Sequence, residues 1–131
     1  MIEDIELIYK GKVYILPNGI PQVNFENTYE IDQNPVTLLY LSNLIKGKGI
    51  LIIIDALELL KQKKIPFKFR VAGPEGDVDY NLLRKLVKEK GLENLVDLLG
   101  AKFDKEKYDE FKSAGIFIMP SDYDKIGRAH V

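Results

Sequence analysis

The sequence predicts an α/β fold, in which helices cover both faces of a parallel sheet. Short apolar segments alternate with longer segments of helical periodicity, and this alternation is typical of right-handed βαβ units. Several of the apolar segments end at a glycine or a polar loop, as parallel strands do where they reach a ligand-binding edge. The 131 residues contain no internal repeat, so we expect one domain with about five strands and four helices.

The first predicted elements are a short helix and a brief strand. Apolar residues recur at helical spacing in residues 1–11, which we assign to a connecting helix that Gly11 ends. Residues 13–16 are predicted to form a strand that the turn Pro17-Asn18-Gly19 stops. Residues 21–35 are polar and lack periodicity, which indicates a connecting loop.

The central elements follow from apolar patterning. Residues 36–41 are apolar without alternation, which predicts a strand that is buried on both faces. A helix is predicted over residues 49–63, because its apolar side chains fall on one face. Residues 67–71 mark the next strand. The apolar stripe of residues 82–87 predicts another helix, which Gly91 closes in a left-handed cap.

The last elements are shorter. Residues 95–99 are predicted to form a strand, and Asp104 is expected to cap a helix whose inner face carries Tyr108 and Phe111. Residues 116–119 form the last predicted strand. No apolar helix is predicted after it, so we expect its surface to lack a partner, as in a truncated domain.

Composition and charge exclude several classes of function. The net charge of −1 gives no basic field for nucleic acid, and no nucleic-acid partner is expected. Because the sequence has no cysteine, it can form neither disulfides nor thiolate metal sites. The longest apolar run, residues 50–54, is far shorter than the ~20 residues that span a bilayer.

The last six residues are expected to be foreign to the protein. Residues 126–131 match the translation of a short-read sequencing adapter, so we assign only residues 12–125 to the domain. The only histidine, His130, lies in this tail. We therefore expect no imidazole in the native part of the chain.

Two lysines lie where the second predicted helix begins. Lys46 and Lys48 alternate with Gly47 and Gly49 just before the helical pattern. A helix N-terminus carries partial positive charge, which disfavours a lysine there but favours a bound phosphate. The two glycines would let backbone N–H groups approach such a ligand. Two solvated surface lysines remain the alternative.

The acidic residues and tyrosines have simpler interpretations. Asp77 and Asp79 are spaced like a metal-binding pair, but they precede a helix, so we favour helix capping over a metal site. Asp55 and Glu58 are predicted to face outward on their helix and to be only solvated. Three tyrosines lie among apolar neighbours and are expected to pack in the core rather than to stack on a ligand: Tyr40, Tyr80 and Tyr108.

Taken in order, the strand ends resemble those in the C-terminal, donor-binding domain of retaining GT-B glycosyltransferases of the group 1, family 4 type. This resemblance covers residues 12–124 and implies a Rossmann-like domain, the C-terminal half of a GT-B fold, incomplete at its C-terminus. The motifs that carry it are Pro17-Asn18-Gly19-Ile20, Ser42-Asn43-Leu44 before Lys48-Gly49, Ala72-Gly73, Leu98-Leu99-Gly100, and residues 114–121 ending in Pro120-Ser121.

The resemblance implies transfer of a hexose from a nucleotide-sugar donor to a glycan or lipid-linked acceptor, with retention of configuration and without a metal or other cofactor. Lys48 matches the family's lysine on the donor diphosphate. Asn43 stands where the family has arginine, and Lys46 is a candidate to replace part of that charge. The other implied donor-binding residues are Gly73 beside the diphosphate or ribose, Ala101 and Phe103 along the base, and Ser121 and Tyr123 near the sugar.

Parts of the implied enzyme are expected to lie outside this sequence. They are the acidic segment after Pro120-Ser121 and the N-terminal acceptor domain, so we expect no transferase activity from this chain alone. The full-length enzyme is expected in the cytoplasm, with peripheral contact at the inner face of the membrane left open.

Two other functions are weighed against the transferase. The first is a receiver-like regulatory module, which needs an acidic cluster where this chain has Asn18, Asn43, Gly73 and Gly100. The second is a GT-B epimerase or phosphorylase, which the Pro120-Ser121 motif fits less well.

Overall fold

Parallel strands alternate with α-helices in the part of the chain that this computed structural model describes, residues 34–122 together with Gly11 and Gly19. A single 3₁₀ turn, Lys46–Lys48, lies between the first strand and the first helix. The elements in chain order are β1 Val36–Leu41, α1 Ile50–Gln62, β2 Phe67–Ala72, α2 Tyr80–Glu89, β3 Val96–Gly100, α3 Asp104–Ser113 and β4 Ile116–Phe117.

The strands form one parallel sheet in the order β3-β2-β1-β4. Leu38 of β1 pairs with Phe69 of β2 on one side and with Ile116 of β4 on the other. The chain moves from β1 through β2 to β3 and then returns to the far side of β1. Because βαβ crossovers are right-handed, this reversal places α1 and α2 on one face of the sheet and α3 on the other.

The main hydrophobic core lies between the sheet and helices α1 and α2. Phe69 and Val71 of β2 are fully buried there against Ile54 of α1 and Leu83 of α2. Leu39 of β1 is also fully buried but lies outside this cluster, since alternate side chains of a strand point to opposite faces. Burial of β1 on both faces, predicted from its continuous apolar run, is therefore confirmed.

Helix α3 packs differently from the prediction. Its buried residue is Glu110, which forms an ion pair with Arg70 of β2, whereas Phe111 is exposed and contacts the ring of Phe117 at 5.3 Å. The expectation that Tyr108 and Phe111 form the inner face is wrong. Asp104 is the first helical residue rather than the cap, and no side chain caps this helix. Charged residues dominate α3, so an ion pair replaces the apolar stripe that helical patterning normally provides.

Lys90, at the C-terminal end of α2, contacts two carboxylates in the middle of α1 that were predicted to be only solvated. Its ammonium group lies 2.6 Å from Glu58 and 3.1 Å from Asp55. Hydrogen bonds raise the pKa of Lys90, and the bond to Glu58 has a larger effect than the bond to Asp55. The prediction that both acids are only solvated is wrong. The pattern of α1 alone cannot show that Lys90 of the neighbouring helix lies within reach of them.

Most other element boundaries agree with the sequence. Strands β1 and β2 were predicted within one residue, and Gly91 closes α2 with the expected left-handed φ of 63°. Strand β3 begins one residue later than predicted, and β4 has two residues rather than four.

Some predictions fall on residues that are not described. Residues 1–10 of the predicted first helix lie outside the described residues, and so do the predicted strand of residues 13–16, most of the loop after it and the tail of residues 126–131. Within residues 34–122, no helix combines the length and the apolar character that crossing a bilayer would require.

Candidate functional site

The candidate site lies where the loops after β1 and β4 meet at the carboxyl edge of the sheet. These strands are neighbours, but their chains leave in opposite directions, and such a switch point is where open α/β sheets bind ligands. The backbone N–H of Asp122 donates to the carbonyl of Gly47 at 3.0 Å. A side chain at Gly49 would overlap the carbonyl of Pro120. The fold therefore brings the Lys46–Lys48 turn and Ser121 together.

The Lys46–Lys48 turn leads directly into helix α1. Lys48 N–H donates to the carbonyl of Ile45 at 2.9 Å, and Gly49 adopts a left-handed φ of 78° that redirects the chain into the helix. No side chain caps the N-terminus of α1. Its first N–H groups form a positively polarised end, and both lysines lie beside it as the sequence predicted. Lys46 is exposed and Lys48 is partly buried.

Asn43 is exposed at the same edge, and its backbone carbonyl is hydrogen-bonded to the side chain of Tyr40. The hydroxyl of the fully buried Tyr40 donates to the Asn43 carbonyl at 2.9 Å. Burial raises the pKa of Tyr40 to about 12, so the hydroxyl keeps its proton at physiological pH. Tyr40 packs in the core as predicted, and it also fixes the backbone of the loop that carries Asn43.

Gly73 lies at the end of β2 and packs against the loop after β1. Its φ is 150°, and a Cβ there would overlap the carbonyl of Ser42. Its N–H donates to Gly100 at 2.9 Å, while its carbonyl accepts from the hydroxyl of Tyr80 at 2.8 Å. Desolvation by burial raises the pKa of Tyr80. Gly73 thus allows a close approach between two parts of the chain itself.

The remaining predicted site residues are distributed along the same edge. Ala101 and Phe103 follow β3, two strands away from β1, and Phe103 is 62% exposed. Ser121 is partly buried next to the Gly47–Gly49 segment. Tyr123 lies outside the described residues.

Asp77 is a residue of this edge whose role the sequence did not reveal. Asp79 caps α2 by accepting the Leu82 N–H at 2.7 Å, as predicted. Asp77 instead accepts the backbone N–H of Lys46 at 2.8 Å, across 31 positions of sequence. No local pattern could indicate this pairing. Among the described residues, no group of three or more metal-ligating side chains comes together.

The sequence matches a described family and a curated relative. The family model described as glycosyl transferases group 1 matches residues 22–131. The Escherichia coli K12 protein WcaL, provisionally named a colanic acid biosynthesis glycosyltransferase, is 25% identical over 113 residues. That match covers 86% of this chain but 27% of WcaL.

Solved structures share the fold at low sequence identity. Staphylococcus aureus TarM, solved as a point mutant in complex with fondaparinux, alpha-GlcNAc-glycerol and UDP, superposes with a TM-score of 0.67 at 19% identity. The match covers 91% of this chain and 23% of TarM. The C-terminal domain of the group 1 glycosyl transferase LpcC from Francisella tularensis gives 0.57 at 19% identity, covering 68% and 48% of the two chains. The chain thus spans about a quarter of WcaL and of TarM.

Proposed function

The chain belongs to the glycosyl transferases group 1 family, and we propose that it forms the donor-binding part of an enzyme that transfers a hexose from a nucleotide-sugar to a glycan or lipid-linked acceptor with retention of configuration. One observation carries the proposal. The Lys46–Lys48 turn and Ser121 meet at the switch point of the sheet, beside a helix N-terminus that no side chain caps.

The donor diphosphate is the ligand that best matches this geometry. The turn that carries Lys46 and Lys48 directly precedes the positive end of α1, so two sources of positive charge lie close together in the chain. Each phosphate oxygen can accept hydrogen bonds from both sources. Asn43 is exposed next to this turn and can contribute a neutral amide, which binds phosphate more weakly than a guanidinium does.

Lys48 is proposed to act on the leaving group. When the bond between the hexose and the diphosphate breaks, negative charge grows on the diphosphate oxygens. A cation that is already in place stabilises this charge more in the transition state than in the bound donor. We infer that the lysines supply this stabilisation and that the transfer needs no metal or other cofactor.

The other parts of the donor are assigned to the residues that the family resemblance implies. The exposed ring of Phe103, with Ala101, is proposed to flank the base, and Gly73 to lie near the ribose or diphosphate. Ser121 and Tyr123 are proposed to lie near the hexose. The name of WcaL, which refers to colanic acid biosynthesis, supports a glycan or lipid-linked acceptor. We propose that the complete enzyme is cytoplasmic, and peripheral contact with the inner face of the membrane stays open.

Calorimetry with UDP and GDP on the complete enzyme tests this function. Lys48→Ala is expected to weaken binding of the preferred nucleotide about tenfold, because one charge-assisted hydrogen bond to the diphosphate contributes about 1.5 kcal/mol. Lys88→Ala, on the exposed C-terminal turn of α2, is the matched control and should leave the affinity unchanged. Unchanged affinity after Lys48→Ala would contradict the placement of the diphosphate.

A further inference from the structure

The loop between β2 and α2 is fastened to the loop that carries the lysines. Leu44 N–H donates to the carbonyl of Pro74 at 2.9 Å, and Val78 N–H donates to the carbonyl of Leu44 at 3.0 Å. Leu44 and Val78 are both fully buried. The first of these bonds belongs to a short parallel bridge between Leu44 and Glu75, beyond the end of the sheet, so the two loops are held together up to Leu44.

Beyond Leu44, a side chain of one loop accepts a hydrogen bond from the backbone of the other. Asp77 Oδ1 accepts the N–H of Lys46 at 2.8 Å, at the first residue of the 3₁₀ turn. A helical turn leaves its first N–H groups without intrahelical partners. The Asp77 carboxylate therefore caps the lysine turn from the neighbouring loop, while Ile45, directly before the turn, provides no side-chain cap.

We propose that Asp77 is a positioning residue for the donor site: it orients the Lys46–Lys48 turn, and its negative charge simultaneously weakens anion binding there. This inference rests on the proposed function, because the anion is taken to be the donor diphosphate. The two effects have opposite signs. Geometry favours binding, since the turn is presented in one orientation. Charge opposes binding, since a carboxylate bonded to Lys46 lies within one Debye length of an anion on the lysines.

Two substitutions separate these effects. Asp77→Asn keeps an acceptor oxygen at the same place and removes the charge, so UDP should bind about twofold to fivefold more tightly at low ionic strength, and the gain should shrink with added salt. Asp77→Ala removes both the acceptor and the charge. Relative to Asp77→Asn it should bind UDP about threefold to tenfold more weakly, which corresponds to the loss of one hydrogen bond.

Asp79 provides the matched control. It lies two residues further along the same loop, and its carboxylate also accepts a backbone N–H, that of Leu82 at 2.7 Å, but this bond caps α2. Asp79→Ala should lower the melting temperature. Asp79→Ala and Asp79→Asn should bind UDP with equal affinity, whereas the two Asp77 variants should differ.

Amide hydrogen exchange at Lys46 measures the capping bond directly and needs no ligand. In Asp77→Ala the Lys46 amide should lose most of its protection, and in Asp77→Asn it should retain it. The proposal is overturned if Asp77→Ala and Asp77→Asn agree in both Lys46 exchange and UDP affinity. If the complete enzyme without these substitutions binds neither UDP nor GDP while the Lys46 amide still responds to Asp77→Ala, the capping role stands and the proposed function fails instead.

Discussion

At the scale of single residues, Gly49 joins two parts of the candidate site. It adopts φ of 78°, a backbone conformation that side chains with a Cβ disfavour, and it lies directly against Pro120. The lysine turn and the segment of Ser121 can approach each other because no Cβ separates them. The sequence suggested that Gly49 would let a ligand approach the backbone. In the structure, the space that a Cβ of residue 49 would take is occupied by Pro120.

Replacing Gly49 should therefore disturb the fold more than its position in a loop suggests. Gly49→Ala is expected to lower the free energy of unfolding by about 2–4 kcal/mol, from backbone strain and overlap with Pro120. Gly47→Ala is the matched control, because a Cβ there meets no atom within 4 Å, and it should change stability by less than about 0.5 kcal/mol. Chemical denaturation followed by circular dichroism measures both. Equal losses would show that packing at Pro120 contributes nothing.

At the scale of elements, an ion pair links helix α3 to the sheet. Arg70 of β2 lies 2.9 Å from Oε2 of Glu110 and donates from Nη2 to Oε1 at 3.2 Å. Its Nη1 also donates to Ser113 at 2.7 Å. Oε2 lies close to the guanidinium without hydrogen-bond alignment, so attraction between charges dominates at that atom. A partly buried pair of this kind is strongly affected when only one partner is removed.

A double-mutant cycle tests this attachment. Arg70→Met is expected to cost about 2–3 kcal/mol, because it leaves the Glu110 carboxylate buried without its counter-ion. Adding Glu110→Leu should recover much of that loss, so the two substitutions should not be additive in denaturant titrations. Lys85→Met breaks an exposed pair with Glu89 and should cost less than about 0.5 kcal/mol. Additive losses at Arg70 and Glu110 would show that α3 is held by other contacts.

At the scale of the whole molecule, the described sheet has an open edge at β4. This strand has two residues, Ile116 and Phe117, which are 48% and 45% exposed. Its outer side has no paired strand among residues 34–122. An exposed apolar strand edge can pair with another chain, so we expect the purified protein to self-associate through β4.

Charge on this edge should reduce self-association. Ile116→Lys is expected to lower the concentration-dependent increase in mass measured by sedimentation velocity, because it places a cation on the edge strand. Ile52→Lys is the matched control: Ile52 has a similar exposure of 52% but lies on helix α1. If both variants, or neither, remain monomeric to higher concentration, the association does not depend on the edge of β4.

The sequence alone predicted most elements of the described fold, because their signals are local. The apolar runs of β1 and β2, the stripe of α2 and the left-handed Gly91 depend on residues within a few positions of one another. The position of both lysines at a helix start was predictable for the same reason. Helix α3 was predicted as an element, but its inner face was wrong, since Arg70, 40 positions away, determines which side chain is buried.

What only the tertiary structure decided is which local features meet. The chain reverses direction after β3 and returns to the far side of β1, which places Ser121 beside the lysine turn. The same packing places the carboxylate of Asp77, 31 positions away, on the N–H of Lys46. Periodicity determines whether each segment forms a helix or a strand. The crossover connections and the packing bring distant segments into contact, and the candidate site is built from those contacts.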